Sequence, residues 1–180
     1  MEITTDRLLL RPYRVDDIGA AYGVLGDPET MSFYPRPYTL EEVKHIVEKN
    51  IRTYKEQGYG MFGVIEQTSG AFIGDCGITL QVIDGAEELE IGYRIGKAYW
   101  GRGYAAEAAR AIRDYGFQQL GLKKLCSYMA SDHRQSRRVA EKLGMQVVKE
   151  YRNPRNRDLP TTVYSISIPA GPAVCGEAIE

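Results

Sequence analysis

The chain is short of histidine and cysteine, and each shortage removes a class of chemistry. Its 180 residues contain two histidines, His45 and His133, so a histidine-rich metal centre is excluded. The three cysteines, Cys76, Cys126 and Cys175, are odd in number and far apart, with no CxxC pair. That pattern predicts unpaired thiols in a reducing compartment, not a disulfide frame or a zinc site. No run approaches the roughly 20 apolar residues of a membrane span. The N-terminus, MEITTDRLLLRPYR, carries acidic residues and lacks the apolar stretch of a signal peptide. Net charge is −1, which leaves no global electrostatic case for nucleic acid or an anionic membrane. Repeats and linkers are missing as well. The expectation is a cytoplasmic protein, monomer or homodimer, with no metal, nucleic acid or membrane partner.

Apolar residues make up 43% of the chain and charged residues 26%, the balance of a globular protein able to bury a core. The length suits one domain, read as residues 1–170, with an Ala/Gly/Pro-rich tail at 171–180 expected to be flexible. Leu8 to Leu10 read as a strand limited by Pro12, and Asp16-Asp17 open a short helix to about Leu25. Thr39 with Glu42 forms a capping box before Val43, Ile46, Val47, Ile51 and Tyr54, which recur at helical spacing until Gly58. The period then changes to strands at 61–67 and 71–80, and Asp84-Gly85 marks a turn before another at 88–95. A helix is predicted over 104–118, a strand over 124–129 and a helix ending at Gly144. Two strands follow, at 146–151 and 161–168. Strands joined by tight turns are antiparallel, whereas the helix at 104–118 joins two that run parallel. The prediction is an α/β (α+β) fold with a mixed, mostly antiparallel sheet of six to seven strands and helices on both faces.

Between the 88–95 strand and the next helix stands YWGRGYAAEA, Tyr99 to Ala108. A helix N-terminus has unpaired N–H groups and a partial positive charge, so a glycine-spaced approach makes it an anion site. Gly101 and Gly103 let the backbone come close, Ala105 leaves the helix start uncrowded, and Arg102 adds charge. A phosphate or pyrophosphate is the natural guest. The plain alternative is a strand-to-helix turn in which glycine supplies positive φ. Neither the P-loop pattern nor GxGxxG is present.

Four segments, TDRLLLRP at 5–12, EIGYRI at 90–95, WGRGYA at 100–105 and SRRVAEKLGM at 136–145, occur in an order that resembles the GNAT N-acetyltransferases. The closer likeness is to the branch of ribosomal-protein N-terminal (RimJ/RimL-type) acetyltransferases. The resemblance spans residues 5 to about 168. It implies the GNAT fold, acetyl-CoA as donor, an amine as acceptor, and a splayed gap between the strands at 88–95 and 125–129 where the pantetheine arm pairs with backbone. In that family the pyrophosphate loop reads Gln/Arg-x-x-Gly-x-Gly/Ala. Trp100 stands at its first position, while Gly103 and Ala105 match. The implied CoA contacts are Ile95, Gly101, Arg102, Gly103, Tyr104, Ala105, His133 and Ser136. Ser136 fits the serine of an Asn-x-x-Ser pattern that can reach the CoA sulfur, with His133 in place of the asparagine. Ala140 stands where many relatives carry a tyrosine acid, so the resemblance supplies no general acid.

Acetyl transfer requires a group to take the amine proton and donors for the thioester oxygen. Approximation of two bound substrates can itself remove ~7–11 kcal/mol of barrier. Alternation puts Glu88, Glu90, Gly92 and Arg94 on one strand face, and Glu90 is the expected base. Its alternative is a surface carboxylate paired with Arg94. Ser136 is the second catalytic candidate, against helix capping around His133, and backbone N–H at the strand's end is the expected oxyanion donor. Phe33, Tyr34 and Tyr38, with Arg155 and Arg157 of the basic stretch RNPRNRDLP, are the expected acceptor walls. Packed or solvated loops would explain the same residues. A non-catalytic acyl-CoA-binding or sensor domain, or a nucleotide-binding protein, would use the same turn.

Overall fold

The computed structural model describes residues 1–168. The expected tail at 171–180 and Cys175 fall outside them. One eight-stranded sheet carries the described chain, in the order β1-β2-β3-β4-β5-β6-β8-β7. Its strands are β1 (Ile3–Thr4), β2 (Leu8–Pro12), β3 (Met61–Glu66), β4 (Phe72–Ile83), β5 (Ala86–Ile95), β6 (Lys124–Ala130), β7 (Gln146–Asn153) and β8 (Leu159–Ser167). The sheet therefore has one strand more than the six to seven predicted. The extra strand is β1, whose two residues pair with Leu9 and Leu10 and are too short to show a period.

Four helices connect the strands: α1 (Ile18–Leu25), α2 (Leu40–Gln57), α3 (Tyr104–Gln118) and α4 (Arg134–Lys142). The capping box forms as predicted: Thr39 Oγ1 accepts from Glu42 N–H, Thr39 N–H donates to Glu42 Oε2 at 2.8 Å, and Gly58 ends α2 at φ 74°. α1 and α2 enclose a core of Val24, Leu25, Met31, Val43, Val47 and Met61 on one face of the sheet. α3 and α4 cover a larger core on the other, with Ile78, Ile91, Ile95, Ile112, Leu125 and Tyr164. α3 sits close because its inner face is small. A Cβ added at Gly116 would lie 2.8 Å from the Ile78 side chain.

β4 and β5 form a long hairpin, closed by Asp84 and Gly85 with φ of 49° and 80°, the conformation a two-residue hairpin turn requires. β7 and β8 run further than predicted, from 146 to 153 and from 159 to 167, so the basic stretch is a turn of Pro154–Asp158 between strand ends. The one parallel pairing is β5 with β6, joined through α3. It registers at Glu90 opposite Cys126, while every neighbouring ladder is antiparallel.

One buried charge cluster braces β5. Asp75, fully buried on β4, faces Arg94 in register, and Arg94 Nε donates to Asp75 Oδ1 at 2.8 Å while Nη2 reaches Oδ2. Tyr13 Oη donates to the same carboxylate at 2.8 Å. Removing one partner of a buried pair strands the other, at a cost of about 3–5 kcal/mol. Asp75→Ala is therefore expected to lose stability of that order in urea unfolding; a loss below about 1 kcal/mol would show that the cluster does not brace β5.

Candidate active site

β5 and β6 pair at Glu90 and Cys126 and do not pair further along, so their C-terminal halves leave an opening. Into that opening runs a cleft of about 1040 Å³. Ile91 to Ile95 of β5 and Ser127 to Ala130 of β6 both line it. The opening connects the two faces of the sheet. Alternation then sorts the side chains, because successive residues of a strand point to opposite faces. Glu90, Arg94 and Tyr128 point toward the α1/α2 face, and Tyr93 and Ser127 toward the α3/α4 face.

On the α3/α4 side the cleft reaches the glycine turn. Gly101 and Gly103 have φ of 77° and 84°, and the first helical bond runs from Glu107 N–H to the Gly103 carbonyl at 3.1 Å. The N–H groups of Tyr104, Ala105 and Ala106 precede that ladder and have no intrahelical acceptor. The turn is held from behind by the N-terminal segment. Arg7 Nη1 donates to the Arg102 carbonyl at 2.9 Å and Arg7 Nε to Glu107 Oε2 at 2.7 Å, while Thr5 Oγ1 donates to Glu107 Oε1 at 2.6 Å. The Arg7 guanidinium also lies over the Tyr104 ring, whose hydroxyl donates to Glu66. Trp100 donates its indole N–H to the Ile95 carbonyl at 2.6 Å and so fixes the strand end. Gln135, Arg138 and Lys142 of α4 line the same side.

On the α1/α2 side Glu90 is the central group. Its neighbour across the hairpin is Thr79, and Arg94 is already engaged by Asp75, so the Glu90–Arg94 pairing considered from sequence is not the one made. Burial pushes the Glu90 carboxyl up to about 7, against the lesser opposing effects of Arg94 and a hydrogen bond from Thr79. Tyr34 and Tyr128 line the cleft with it, and burial raises both phenols, with Glu90 adding to each shift. A carboxylate poised near neutrality beside aromatic walls can accept a proton from an entering ammonium.

Twelve of the sequence-predicted residues line this one cleft: Glu90, Ser136, Ile95, Gly101, Gly103, Tyr104, Ala105, His133, Phe33, Tyr34, Tyr38 and Arg155. Arg102 does not; its guanidinium lies over the Tyr99 ring, 5.4 Å from the centroid. Arg157 lies outside too, in the turn at φ 53°, and Arg152 is spent on Asp158 at 2.8 Å. His133 stacks on Phe33, with centroids 3.6 Å apart and planes 7° from parallel. Burial lowers its imidazole to about 4, so it is neutral at pH 7. Asn156 Nδ2 donates to the Phe33 carbonyl at 2.9 Å, which joins the 32–38 loop to the β7–β8 turn. Sequence reasoning missed Tyr93, Tyr128, Thr79 and the α2 residues Lys49, Thr53 and Gln57, all of which line the cleft. Among the described residues no cluster of His, Cys, Asp or Glu is arranged to hold a metal, and no helix is long and apolar enough to cross a membrane.

The profile of the Acetyltransferase (GNAT) domain family matches residues 7–146. An uncharacterized protein of Bacillus subtilis, YkkB, is 36% identical over 164 residues, spanning 91% of this chain and 94% of its own. The crystal structure of a GNAT-family acetyltransferase from Bacillus anthracis superposes with a TM-score of 0.80 at 26% identity, covering 93% of this chain and 98% of that one. RimL, a ribosomal alpha-N-protein acetyltransferase solved in complex with coenzyme A, shares the fold, with a TM-score of 0.78 at 16% identity over 93% of this chain and 98% of its own.

Two expectations follow from this geometry. Between about 4.5 and about 7 the folded chain keeps a proton at Glu90 that the unfolded chain has released, so ionising Glu90 costs stability as pH rises through that window. Glu90→Gln should therefore melt above wild type at pH 8 and level with it at pH 4; equal melting at both would show an unperturbed carboxyl. Gly103→Val places a branched side chain at φ 84°, a conformation such residues rarely adopt, and so strains the turn that presents the free N–H groups. Calorimetry should show CoA affinity reduced at least tenfold, and an unchanged affinity would move the phosphate site elsewhere.

Proposed function

Because the chain belongs to the GNAT acetyltransferase family, we propose that it transfers the acetyl group of acetyl-CoA directly to a primary amine within a ternary complex. The acceptor in this reading is a peptide N-terminus or an amino-acid-like compound. Residues 1–170 would act as one acetyltransferase domain in the cytoplasm. The observation that carries the proposal is Glu90, a carboxyl raised to about 7, at the opening through the sheet with the free N–H groups of α3 on the opposite face.

The chain suits acetyl-CoA as substrate. The α3 N-terminus offers donors to the pyrophosphate, Arg138 and Lys142 add positive charge, and Ile95, Met129 and Val139 give an apolar path for the pantetheine arm. That RimL was solved with CoA in the same fold supports this reading. The amine enters from the α1/α2 side as an ammonium. Glu90 accepts its proton directly or through water, and the neutral nitrogen attacks the thioester carbon. Backbone N–H at the end of β5, beside Ile95, donates to the oxygen as it becomes negative. The carbon–sulfur bond then breaks with its electron pair on sulfur, near Ser136 on the α3/α4 side, and the nitrogen releases its second proton to solvent as the amide forms. His133, neutral and stacked on Phe33, forms wall.

Acceptor choice falls to the α1/α2 side. Tyr34, Tyr38 and Tyr128 give an aromatic surround that attracts an ammonium. Arg155 lines the mouth and has no ion-pair partner among the described residues, so it can receive an acceptor carboxylate. Ala140, fully buried where a tyrosine acid would stand, is the observation that favours the rival, a non-catalytic acyl-CoA sensor.

Acetyl-CoA turnover against a panel of peptides, amino acids, polyamines and aminoglycosides tests the reading. Wild type should acetylate a peptide or amino acid, with kcat/KM for the acceptor rising as pH passes about 7. Glu90→Gln should lose that limb and about 10²–10⁴-fold in kcat, with CoA affinity kept within twofold. Binding of acetyl-CoA without turnover on any amine would instead support the sensor. Arg155→Ala should raise the acceptor KM and leave that of acetyl-CoA alone; turnover confined to polyamines or aminoglycosides contradicts the acceptor class.

A further inference from the structure

The α3/α4 face of the opening holds three hydroxyls from three elements. Tyr93 comes from β5, Ser127 from β6 and Ser136 from the first turn of α4, and all three line the cleft. The Tyr93 hydroxyl donates to the Ser136 carbonyl at 2.9 Å and lies 3.0 Å from Ser136 Oγ. A phenol has one proton. With that proton on the carbonyl, the Tyr93 oxygen accepts, and the Ser136 hydroxyl hydrogen points to it. Ser136 is not capping its helix: the residue before α4 is His133, whose side chain makes no cap bond.

The alternatives for the leaving sulfur are poor. Ala140, one turn further along α4, is fully buried and carries no polar group. Cys126 points to the other face, and burial raises its thiol to about 12. Tyr93 is itself ill suited to give up its proton, because burial raises the phenol far above neutrality. It is suited to remain a phenol and hold a neighbour in place.

We propose that Tyr93 is a positioning residue for Ser136, holding the serine hydroxyl where it can turn from the tyrosine oxygen onto the departing CoA sulfur. The proposal rests on the acetyl-transfer reading above. In the step itself, the amine proton has passed to Glu90. The carbon–sulfur bond breaks with both electrons on sulfur, and Ser136 O–H rotates to hydrogen-bond the thiolate. No proton leaves serine or tyrosine; the attacking nitrogen, positively charged after attack, releases its second proton to solvent water as the amide forms, the thiolate departs or is protonated by water, and Glu90 returns the first proton to solvent. The tyrosine absent from position 140 is thereby replaced in effect, not in position. A hydrogen bond to an anion stabilises the charge, whereas the absent tyrosine would protonate it.

The test uses CoA itself as the probe. The ultraviolet absorbance of the thiolate is titrated with pH for CoA bound to wild type, Tyr93→Phe, Ser136→Ala and the double variant. In wild type the bound thiol should ionise at lower pH than free CoA. Each single variant should move it back toward the free value, and the double variant no further, because the tyrosine acts through the serine. In steady state each single variant should lose about tenfold or more in kcat, the size of one hydrogen bond to a charged atom, with KM for acetyl-CoA within twofold. Ser136→Thr, which keeps the hydroxyl, should retain most of the effect. Additive losses in the double variant, or a Tyr93→Phe titration identical to wild type, would overturn the proposal. Normal CoA binding with an unshifted thiol in wild type would overturn this proposal alone. Failure of wild type to bind CoA would overturn the acetyl-transfer reading and this proposal with it.

Discussion

The parallel pairing of β5 with β6 is the constraint on which the rest of the site depends. A helix must connect two parallel neighbours, and α3 does so with its N-terminus beside the end of β5. The two strands register where Glu90 faces Cys126 and then part. Near the closed end Lys124 Nζ reaches Glu88 Oε1 at 2.6 Å, a half-exposed pair of small worth. Beyond Glu90, the Tyr93 side chain of β5 bonds instead to α4, through the Ser136 carbonyl. A sheet normally separates its two faces completely. This one has a passage lined from both faces, and in the reading proposed above two substrates meet through it from opposite sides.

In that reading one strand serves both substrates. Residue 90 and residue 93 differ by an odd number, so they face opposite sides of the sheet while lying about 10 Å apart along it. Glu90 faces the α1/α2 side, proposed for the acceptor, and Tyr93 the α3/α4 side, proposed for CoA. Arg94 is excluded from both tasks because Asp75 and Tyr13 absorb its charge within the protein. Arg94 still draws the Glu90 carboxyl down, but by less than burial pushes it up. The same strand end is pinned by Trp100 through the Ile95 carbonyl, and the glycine turn by Arg7 and Glu107.

Much of this was legible in the sequence because it is local. The α2 capping box, the Asp84-Gly85 hairpin and the glycine-flanked start of α3 each depend on residues within a few positions of one another. Alternation along 88–95 correctly separated Glu90 from Ile91 and Ile95. Tyr93 falls on the face opposite Glu90 by the same alternation and packs against the α3/α4 core, but periodicity cannot show that this face opens at that point. The opening is set by the divergence of β6, some thirty-five residues away. Tyr128 and the polar face of α2 were hidden for the same reason: read alone, Lys49, Thr53 and Gln57 look like a solvated helix face. Charge counting overreached in the basic stretch. Arg155 and Arg157 looked equivalent, yet the turn leaves Arg157 exposed outside the cleft and Arg155 in its lining.

The most direct measurement is a crystal structure of the protein with CoA bound. The account predicts the pyrophosphate against Gly103 to Ala106, and the thiol sulfur in the opening between β5 and β6. There it would have the Glu90 carboxylate beyond it on one face and Ser136 Oγ within hydrogen-bond reach on the other. CoA seated elsewhere, or a β5–β6 ladder closed past the Glu90–Cys126 pair with the thiol held outside, would contradict the claim that the two substrates meet through the sheet.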